Sequence, residues 1–583
     1  MQRAVRRGVA FLAFALPLLS AVNEPPSPTL LNQCASVGFV GLWIALVGSQ
    51  GARPSMRDVA CLVAVVAGLA GGLLASQARG LPLSLASDLW AITLALAVAV
   101  CAGNAAGRDP SAVTWFVDLA WALCLAGIAN AAIGCIQVLA PGLPDGDWMA
   151  RSSIPGRAVG NLRQPNHLAS LGLWALVALV ALHELKAIRR APALGFMVIT
   201  LLGVVLSGSR TGLVGVLLLA VWGFCDGRLS RSARWALGGA PVLFLALWLA
   251  AAAWAHLSAH TFGAEGHLLS EGGDISSSRF AIWSNTLAMI GHEPLAGVGF
   301  GEFNVAWTLT AFPDRPVAFF DHTHNLLLQL LVELGVPLGG LTIGVLCAGL
   351  AQAWHRAWRS ADGLGVAKRS AFMIVLMIGL HSMLEYPLWY AYFLLPAAFA
   401  WGFVLSSPTT SAAVERRPPQ APNPDGSRTL AFAGAALAIG AAAAVLDYWR
   451  VVVIYDPGDS TVPLEQRIER GQRSPLFGHH ADYAAATAFG EPKAPLSASQ
   501  HLAFRRAPHQ LLDVRLMIAW AQALAAEGEL DRARWLAARI REFRNPGSDE
   551  FFAPCQQPDA AATAFQCQPP QRVVPWREFM SAE

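Results

Sequence analysis

Charged side chains are scarce in this sequence: only 14% of its 583 residues are charged, whereas 55% are hydrophobic. A soluble domain carries about a quarter charged residues, so the composition excludes a soluble globular protein for most of the chain. Walker, HExxH and CxxC motifs are also missing. The sequence therefore offers no sign of ATP use, zinc or a redox dithiol, and we expect no cofactor, no metal and no nucleic acid partner.

Long apolar runs make up most of the first 450 residues. Runs of about twenty residues are typical of membrane-spanning helices, and thirteen candidates lie near residues 8–22, 34–49, 59–76, 88–103, 112–139, 167–185, 194–208, 211–225, 235–256, 325–351, 370–384, 387–406 and 429–449. The first run follows three arginines and also fits a signal peptide. Because many similar runs follow, we favour an uncleaved first helix in an all-α polytopic membrane protein of about 13 transmembrane helices.

Basic residues alternate between the loops in a way that predicts the orientation. Loops on one side carry most of the Arg and Lys, which marks the cytoplasmic side, and an odd number of spans then places the C-terminal tail outside. The predicted parts are a core of residues 1–406 with an outer loop at 257–324, a Pro- and Ser-rich cytoplasmic linker at 407–428, a last span at 429–449 and a mainly helical outer domain at 450–583.

The tail contains one helical hairpin that resembles a tetratricopeptide unit, with its break at Gly528. Cys555 and Cys567 stand apart from the apolar runs. Outside a bacterial-type membrane they could form a disulfide that closes a small loop, or remain two free thiols.

Two arginines are predicted on the outer face. Arg210 lies in SGSRTG, a turn between two apolar helices, and Arg279 follows three serines at the start of a predicted helix. For Arg210, a membrane-edge arginine that snorkels to the interface is the alternative interpretation. The pair together suits a diphosphate, because guanidinium groups and helix N-termini both bind phosphate.

Histidines begin the next span in DHTHNLLLQLLVELG. His324 directly precedes Asn325 and the apolar run, and His322 shares this position less well. An imidazole there could take a proton from a hydroxyl nucleophile or stabilise a leaving diphosphate, and the sequence leaves both roles open. Gly297, Gly299 and Gly301 precede this segment as predicted hinges or points of close approach.

Two further outer segments carry polar residues. The first supplies Asn161, Arg163, Gln164, Asn166 and His167 as candidate sugar or phosphate ligands, or as a cluster that caps a helix. The second, HSMLEYPLWYAYF, supplies Glu385, Tyr386 and Tyr390. Aromatic residues are expected at a membrane interface without any function, so both interpretations stay open for the tyrosines.

The segments GNLRQPNHLAS, SGSRTGL, SSSRFAIW with GVGFGEF, HTHNLLLQLLVELG and LEYPLWYAYFL occur in an order that resembles the O-antigen ligase superfamily. QPNH and EYPLWY most resemble its PglL-type branch, the bacterial protein O-oligosaccharyltransferases. The resemblance covers roughly residues 10–406, and the tail is also similar.

The resemblance implies a GT-C-like, metal-independent glycosyltransferase in the bacterial inner membrane, with its active site and C-terminal domain on the periplasmic side. The donor would be an oligosaccharide linked to undecaprenyl diphosphate, and the acceptor a Ser or Thr of a pilin or another exported protein. By resemblance, His324, Gln164 and a tyrosine, Tyr386 or Tyr390, are catalytic. The same resemblance implies that Arg210 and Arg279 would bind the diphosphate of the donor.

Other functions are also compatible with these motifs. An O-antigen ligase acting on lipid A–core, or an O-antigen polymerase, would share the arginines and His324 and differ in the acceptor. A flippase for lipid-linked sugars is less consistent, because transporters place ionisable residues near the middle of the membrane and show two related halves.

Overall fold

The structure is a computed structural model that describes residues 2–51, 53–258, 260–263, 275–317, 319–407, 425–492 and 494–580. Within these ranges the chain forms α-helices and short 3-10 turns and contains no β-strand. The prediction of an all-α polytopic membrane protein is confirmed, because many of the helices are long and apolar enough to span a bilayer.

Ten helices in the described part of the chain meet that criterion by length and composition: Leu30–Ser49, Ala60–Ala78, Leu83–Arg108, Ala112–Leu139, Pro165–Glu184, Arg190–Ser207, Arg231–Ser258, Leu326–Arg359, Asp362–Ser382 and Arg428–Tyr455. The other predicted spans appear as shorter helices: Gln2–Phe14 followed by Leu16–Leu19, Arg210–Cys225 and Ala391–Val404. The count of thirteen spans stays a prediction.

The outer loop predicted at 257–324 contains two helices, Ile275–His292 and Phe303–Leu309, while residues 264–274 lie outside the described ranges. Most of the predicted linker, residues 408–424, also lies outside them. The last apolar helix continues past the predicted end at 449 to Tyr455, since VVVIY extends its apolar run.

The tail is helical, as predicted. Its α-helices are Leu464–Gln472, Gly478–Thr487, Ala498–Arg506, Val514–Ala526, Leu530–Phe543, Asp549–Phe552, Pro558–Thr563 and Trp576–Met580. The predicted hairpin is confirmed, with Gly528 at φ +87° between its two helices. The disulfide between Cys555 and Cys567 is also present.

The chain divides into two compact units. The first comprises residues 1–63, 94–271 and 346–443, and the second comprises residues 64–93, 272–345 and 444–583.

Small residues let helices of the first unit approach closely. A Cβ on Gly103 would lie 1.9 Å from the carbonyl oxygen of Phe399, and a Cβ on Gly402 would lie 2.0 Å from that of Val100. In a bilayer such small-residue contacts are a principal means of packing helices together.

A kink in Leu326–Arg359 shapes the second unit. Gly335 has φ +76°, and Pro337 has no N–H to donate to the carbonyl of Glu333. The loop at 297–301 replaces the missing bonds, since Gly299 N donates to Glu333 O at 3.1 Å and Val298 N donates to Val332 O at 2.9 Å. The loop and the kinked helix therefore complete each other's backbone hydrogen bonds.

The tail packs on the segment around this loop, within the same unit. His509 Nδ1 lies 2.7 Å from a Glu302 carboxylate oxygen, and Leu512 N donates to Asn304 Oδ1 at 2.7 Å. Trp535 Nε1 donates to the carbonyl of Leu309 at 2.9 Å. The helix Phe303–Leu309 is accordingly buried along its whole length.

Arg315 adds an ion pair to that contact. Its side chain is 1% exposed, lies 2.9 Å from Glu542 and packs over the rings of Trp307 and Phe543. Burial lowers the pKa of Arg315 to about 10, while the Glu542 carboxylate opposes the shift. Removing Glu542 would therefore leave a buried cation without its counter-charge.

Candidate functional site

In the first unit, Arg210 stands at the start of a helix. Gly208, at φ +61°, ends the preceding helix, and the Ser209 hydroxyl accepts a hydrogen bond from Gly212 N at 3.1 Å as the N-cap of Arg210–Cys225. The half-buried Arg210 is the first helical residue. Because one helix ends at Gly208 and the next begins at Arg210, the predicted hairpin turn is confirmed. A guanidinium beside the positive end of a helix is well placed to bind an anionic ligand.

Asn166 connects this turn to the polar segments that contain Gln164 and Glu385. Its Oδ1 accepts a hydrogen bond from the Ser209 hydroxyl at 2.7 Å, and its Nδ2 donates to Glu385 Oε1 at 3.1 Å. Ser209 is 2% exposed and Glu385 is 9% exposed, so Asn166 gives each of these buried groups a polar contact inside the protein. The structure thus brings together the segments that contain Gln164, Arg210 and Glu385.

Gln164 is the N-cap of Pro165–Glu184. Its Oε1 accepts a hydrogen bond from His167 N at 2.9 Å, as the helix-capping interpretation predicts. The amide Nε2 donates to no other residue within the described ranges. The Oε1 atom of Gln164 is therefore used to cap the helix, and the Nε2 group can donate a hydrogen bond to a ligand.

Arg163 and His167 make structural contacts. Arg163, at φ +57°, donates hydrogen bonds to the carbonyls of Ala21 and Pro28. The buried His167 ring packs edge-on against Tyr390, with ring centroids 4.6 Å apart. These contacts favour a positioning role over ligand contact for both residues.

The two candidate tyrosines stack on each other. The Tyr386 and Tyr390 rings have centroids 6.2 Å apart and an angle of 22° between their planes, and both are partly exposed. Tyr390 also packs on His167 and on Tyr392, whose ring centroids lie 4.6 Å and 5.4 Å from its own. The Tyr386 and Tyr390 rings are therefore nearly parallel, and Tyr386 directly follows Glu385 in the chain.

Buried amides that the sequence analysis missed hold the loop before Gln164. Gln137 Oε1 accepts from Val159 N and Gly160 N, both at 2.9 Å. Asn130 Oδ1 accepts from Asn161 N at 2.8 Å, and Asn161 Oδ1 accepts from Ala150 N at 2.9 Å. Polar amides inside an otherwise apolar run are the signal that could have identified Asn130 and Gln137.

In the second unit, His324 lies in a tight turn before Leu326–Arg359. Its φ of +54° is uncommon for any residue except glycine. The preceding Thr323 fixes the turn, because its N–H donates to Gln329 Oε1 at 2.8 Å and its hydroxyl donates to Asn325 O at 2.8 Å. Backbone strain of this kind occurs at functional sites more often than elsewhere.

A chain of buried polar groups continues from this turn into the helix. Gln329 Nε2 donates to Glu333 Oε1 at 3.0 Å, and the same oxygen accepts from Gly301 N at 3.1 Å. Glu333 is 3% exposed. A buried carboxylate in an apolar helix is costly and is seldom present without a function; sequence reasoning had passed over both Gln329 and Glu333.

The helix of Arg279 is attached to the same turn. Arg279 is the fifth residue of Ile275–His292 and is half-buried, near the predicted helix start. Trp283, one turn later, donates from Nε1 to the carbonyl of Thr323 at 2.9 Å. Residues four apart share a helix face, so Arg279 and Trp283 lie on the face that contacts the His324 turn.

His322 is paired with Asp321, with Nδ1 and Oδ1 3.0 Å apart. Burial opposes ionisation of Asp321, but the His322 and His324 imidazoles outweigh it and lower the pKa of Asp321. His322 is therefore bound to a carboxylate beside the turn, whereas His324 packs edge-on against Phe320, with centroids 5.1 Å apart.

The predicted glycines are confirmed as points of close approach and unusual backbone. Gly297, Gly299 and Gly301 have φ values of +61°, +123° and +84°. A Cβ on Gly297 would lie 2.5 Å from Gly335 N. In the part of the chain that the structure describes, no group of three or more His, Cys, Asp or Glu is placed to hold a metal ion.

These features define a polytopic helical membrane protein with two clusters of polar and titratable side chains. Family models match three parts of it: "O-Antigen ligase" over residues 195–343, "Virulence factor membrane-bound polymerase, C-terminal" over 370–552 and "Protein glycosylation ligase" over 158–183. The first range contains Arg210, Arg279 and His324, and the third contains Gln164. These matches and the relatives below confirm the resemblance to the O-antigen ligase superfamily and its PglL-type branch.

Two curated proteins of Acinetobacter baylyi are similar to this chain. A general O-oligosaccharyltransferase is 27% identical over 310 residues, which are 50% of each chain. A ComP-specific O-oligosaccharyltransferase is 26% identical over 268 residues, which are 44% of this chain and 45% of the relative. The matches span about half the length of these relatives.

Proposed function

We propose that this protein is an O-linked oligosaccharyltransferase, which transfers a preassembled glycan from undecaprenyl diphosphate to a Ser or Thr of a pilin or another exported protein. The observation that carries the proposal is the bonding of Asn166 to both Ser209 and Glu385. These two hydrogen bonds connect the Gln164 segment, the start of the Arg210 helix and the segment of the tyrosine stack. The family resemblance implicates each of these three segments in the reaction. The two curated relatives, both named O-oligosaccharyltransferases, support the same activity.

Arg210 and Arg279 bind the diphosphate in this proposal. Each guanidinium lies in the first turns of a helix, where the helix dipole adds to its attraction for phosphate oxygens. As the glycosyl bond breaks, negative charge accumulates on the leaving diphosphate. Cations fixed in advance stabilise that charge in the transition state, and removing one such contact costs about 10²–10³-fold in rate at comparable sites.

His324 is the general base. It accepts the proton of the acceptor hydroxyl, whose oxygen bonds to the anomeric carbon while the bond from that carbon to the phosphate oxygen breaks. The Thr323 contacts to Gln329 and Trp283 keep the imidazole in its left-handed turn. Gln164 Nε2 donates a hydrogen bond to the donor, and the tyrosine stack of Tyr386 and Tyr390 packs against a sugar ring. No step requires a metal.

The protein would lie in the bacterial inner membrane, with these residues and the tail on the periplasmic side. The alternation of basic loops supports that orientation. The Cys555–Cys567 disulfide supports it as well, because disulfides persist in an oxidising compartment.

A second candidate shares the donor and differs in the acceptor. The match to O-antigen ligases over 195–343 and to a polymerase over 370–552 favours a ligase that transfers glycan to lipid A–core, or a polymerase of repeat units. The match at 158–183 to a protein glycosylation ligase and the two curated relatives favour a protein acceptor.

One assay separates these functions. Purified protein is given a lipid-linked oligosaccharide with pilin and lipid A–core side by side, and we expect glycan on pilin alone. The variant His324→Asn keeps a residue that tolerates positive φ and removes the imidazole, so transfer should fall by about 10²–10⁴-fold. Normal transfer by His324→Asn would refute the mechanism, and glycan on lipid A–core alone would establish the second candidate.

A further inference from the structure

The helical tail contains a cavity that the proposed transfer reaction does not use. Its volume is about 340 Å³, and it lies between the helices Ala498–Arg506, Val514–Ala526 and Trp576–Met580, all within the second unit. Ligand pockets in proteins range from about 300 to 1,000 Å³. The cavity therefore has room for one large side chain and its neighbouring groups.

The interior of the cavity is aromatic. Trp520 and Phe579 meet edge-to-face with ring centroids 5.4 Å apart, and Phe504 and Leu524 complete the apolar lining. Each of these four side chains is less than 10% exposed. Edge-to-face pairing fixes the two rings, which gives an entering apolar side chain a preformed surface.

The cavity lining includes two arginines, one histidine and one glutamate. Glu527 is already paired with His501, with Oε1 and Nε2 3.3 Å apart. Arg532 lies 4.0 Å from the Glu529 carboxylate and packs over the Phe579 ring at 5.2 Å. None of the residues that the structure describes forms a hydrogen bond or ion pair with Arg505, which is exposed.

We propose that this cavity binds an acidic peptide segment of a partner protein, with one aromatic side chain inserted against Trp520 and Phe579 and a flanking carboxylate paired with Arg505. Charge complementarity selects this occupant. A neutral apolar ligand would leave the free Arg505 guanidinium unused, and a basic segment would be repelled by it. The inference does not rest on the proposed transferase activity, because binding is measured without any transfer.

The test uses the full-length protein in detergent and the anisotropy of fluorescein-labelled peptides. The probe is the hexapeptide GDFEDG, compared with GDAEDG, which lacks the aromatic ring, and with GKFKKG, which reverses the charge. We expect saturable binding of GDFEDG and at least about fivefold weaker binding of the other two. Fivefold corresponds to about 1 kcal/mol, the upper part of the range for an exposed ion pair.

Two matched charge reversals locate the binding. Arg505→Glu should weaken GDFEDG binding at least fivefold, whereas Arg470→Glu should leave it unchanged, because Arg470 is also exposed on the tail but does not line the cavity. Both arginines are exposed, so neither change threatens folding, and Arg505→Lys should keep most of the affinity. The proposal would be overturned if the three peptides bound equally, or if the two charge reversals weakened binding equally. It would also be overturned, in favour of a lipid ligand, if phosphatidylglycerol micelles competed with the peptide and this competition required Arg505.

Discussion

The two units hold their candidate residues by different means. In the first, side chains bond to side chains, since Asn166 links Ser209 to Glu385. In the second, the backbone itself is unusual: His324 has positive φ, and the kink at Gly335 exchanges hydrogen bonds with the loop at 297–301. We therefore expect the first unit to be sensitive to single polar substitutions and the second to substitutions that restrict the backbone.

The largest effect should come from Gly297→Ala. An added Cβ would lie 2.5 Å from Gly335 N and 2.6 Å from two carbonyl oxygens. The left-handed conformation alone costs an L-residue about 1–2 kcal/mol, and the overlap with backbone adds to it. We expect loss of monodisperse protein in size-exclusion chromatography, with a lower melting temperature for whatever remains.

Gly291→Ala is the matched control for that change. Gly291 lies near the end of Ile275–His292, and a Cβ there would meet no atom within 4 Å. Its yield and melting temperature should equal those of the unchanged protein. If Gly297→Ala also left both quantities unchanged, the close approach of Gly297 to the backbone of the kinked helix would be refuted.

Arg210→Ala should reduce glycan transfer by about 10²–10³-fold, because one fixed cation would be lost from the diphosphate. Arg210→Lys should recover only part of the rate, since an ammonium cannot form the two parallel bonds of a guanidinium. The measurement is transfer from purified lipid-linked donor, with melting temperature to show that the variant is folded.

Arg190→Ala tests whether the position at a helix start matters by itself. Arg190 is also the first residue of its helix, Arg190–Ser207, but it lies at the opposite end of that helix from the SGSRTG turn. Transfer by Arg190→Ala should match the unchanged protein. A loss as large as that of Arg210→Ala would show that any helix-start arginine serves the membrane fold rather than the donor.

Much of the first unit could be predicted from the sequence, because its signals are local. SGSRTG between two apolar runs predicts a tight turn, and the Arg210 helix begins within one residue of the predicted boundary. The capping alternative for Gln164 was equally local, since Pro165 and an apolar run follow it. Helix starts depend on a few adjacent residues, which is why these predictions are confirmed.

The contacts in the second unit could not be predicted in the same way. Gly299 and Glu333 share a hydrogen bond between backbone atoms. Every residue type except proline can form such a bond, so the sequence does not reveal which residues are paired. Trp283 and Thr323 are forty positions apart, and only the fold brings them together. The sequence did contain one usable signal, a glutamate and a glutamine in an apolar helix, at Glu333 and Gln329.

Gln164→Glu separates the two roles of that side chain. A carboxylate keeps an oxygen that can accept from His167 N at the helix cap, but it replaces the donating amide with a negative charge that repels diphosphate. Transfer should fall by about 10²-fold, as for the loss of one preorganised donor, with the melting temperature unchanged. Gln164→Ala should also destabilise the helix, by about 1 kcal/mol. Full activity in Gln164→Glu would assign this residue to capping alone.

The smallest expected effect tests how far the first unit depends on a single amide. Asn166→Ala removes one hydrogen bond from the buried Ser209 hydroxyl and one from the Glu385 carboxylate, at a cost of about 1 kcal/mol for each bond. Because Asn166 positions the start of the Arg210 helix and is not proposed to touch the donor, kcat should fall about tenfold with little change in KM for the lipid-linked donor.

The double variant Asn166→Ala, Glu385→Gln then distinguishes positioning from simple destabilisation. A neutral amide at position 385 costs less to bury than a carboxylate that has lost its hydrogen bond from Asn166, so the melting temperature should recover in part. Ser209 still lacks its acceptor in the double variant, so the Arg210 turn stays loosened and kcat should not recover. A parallel return of melting temperature and kcat would show that Asn166 acts only through the stability of Glu385.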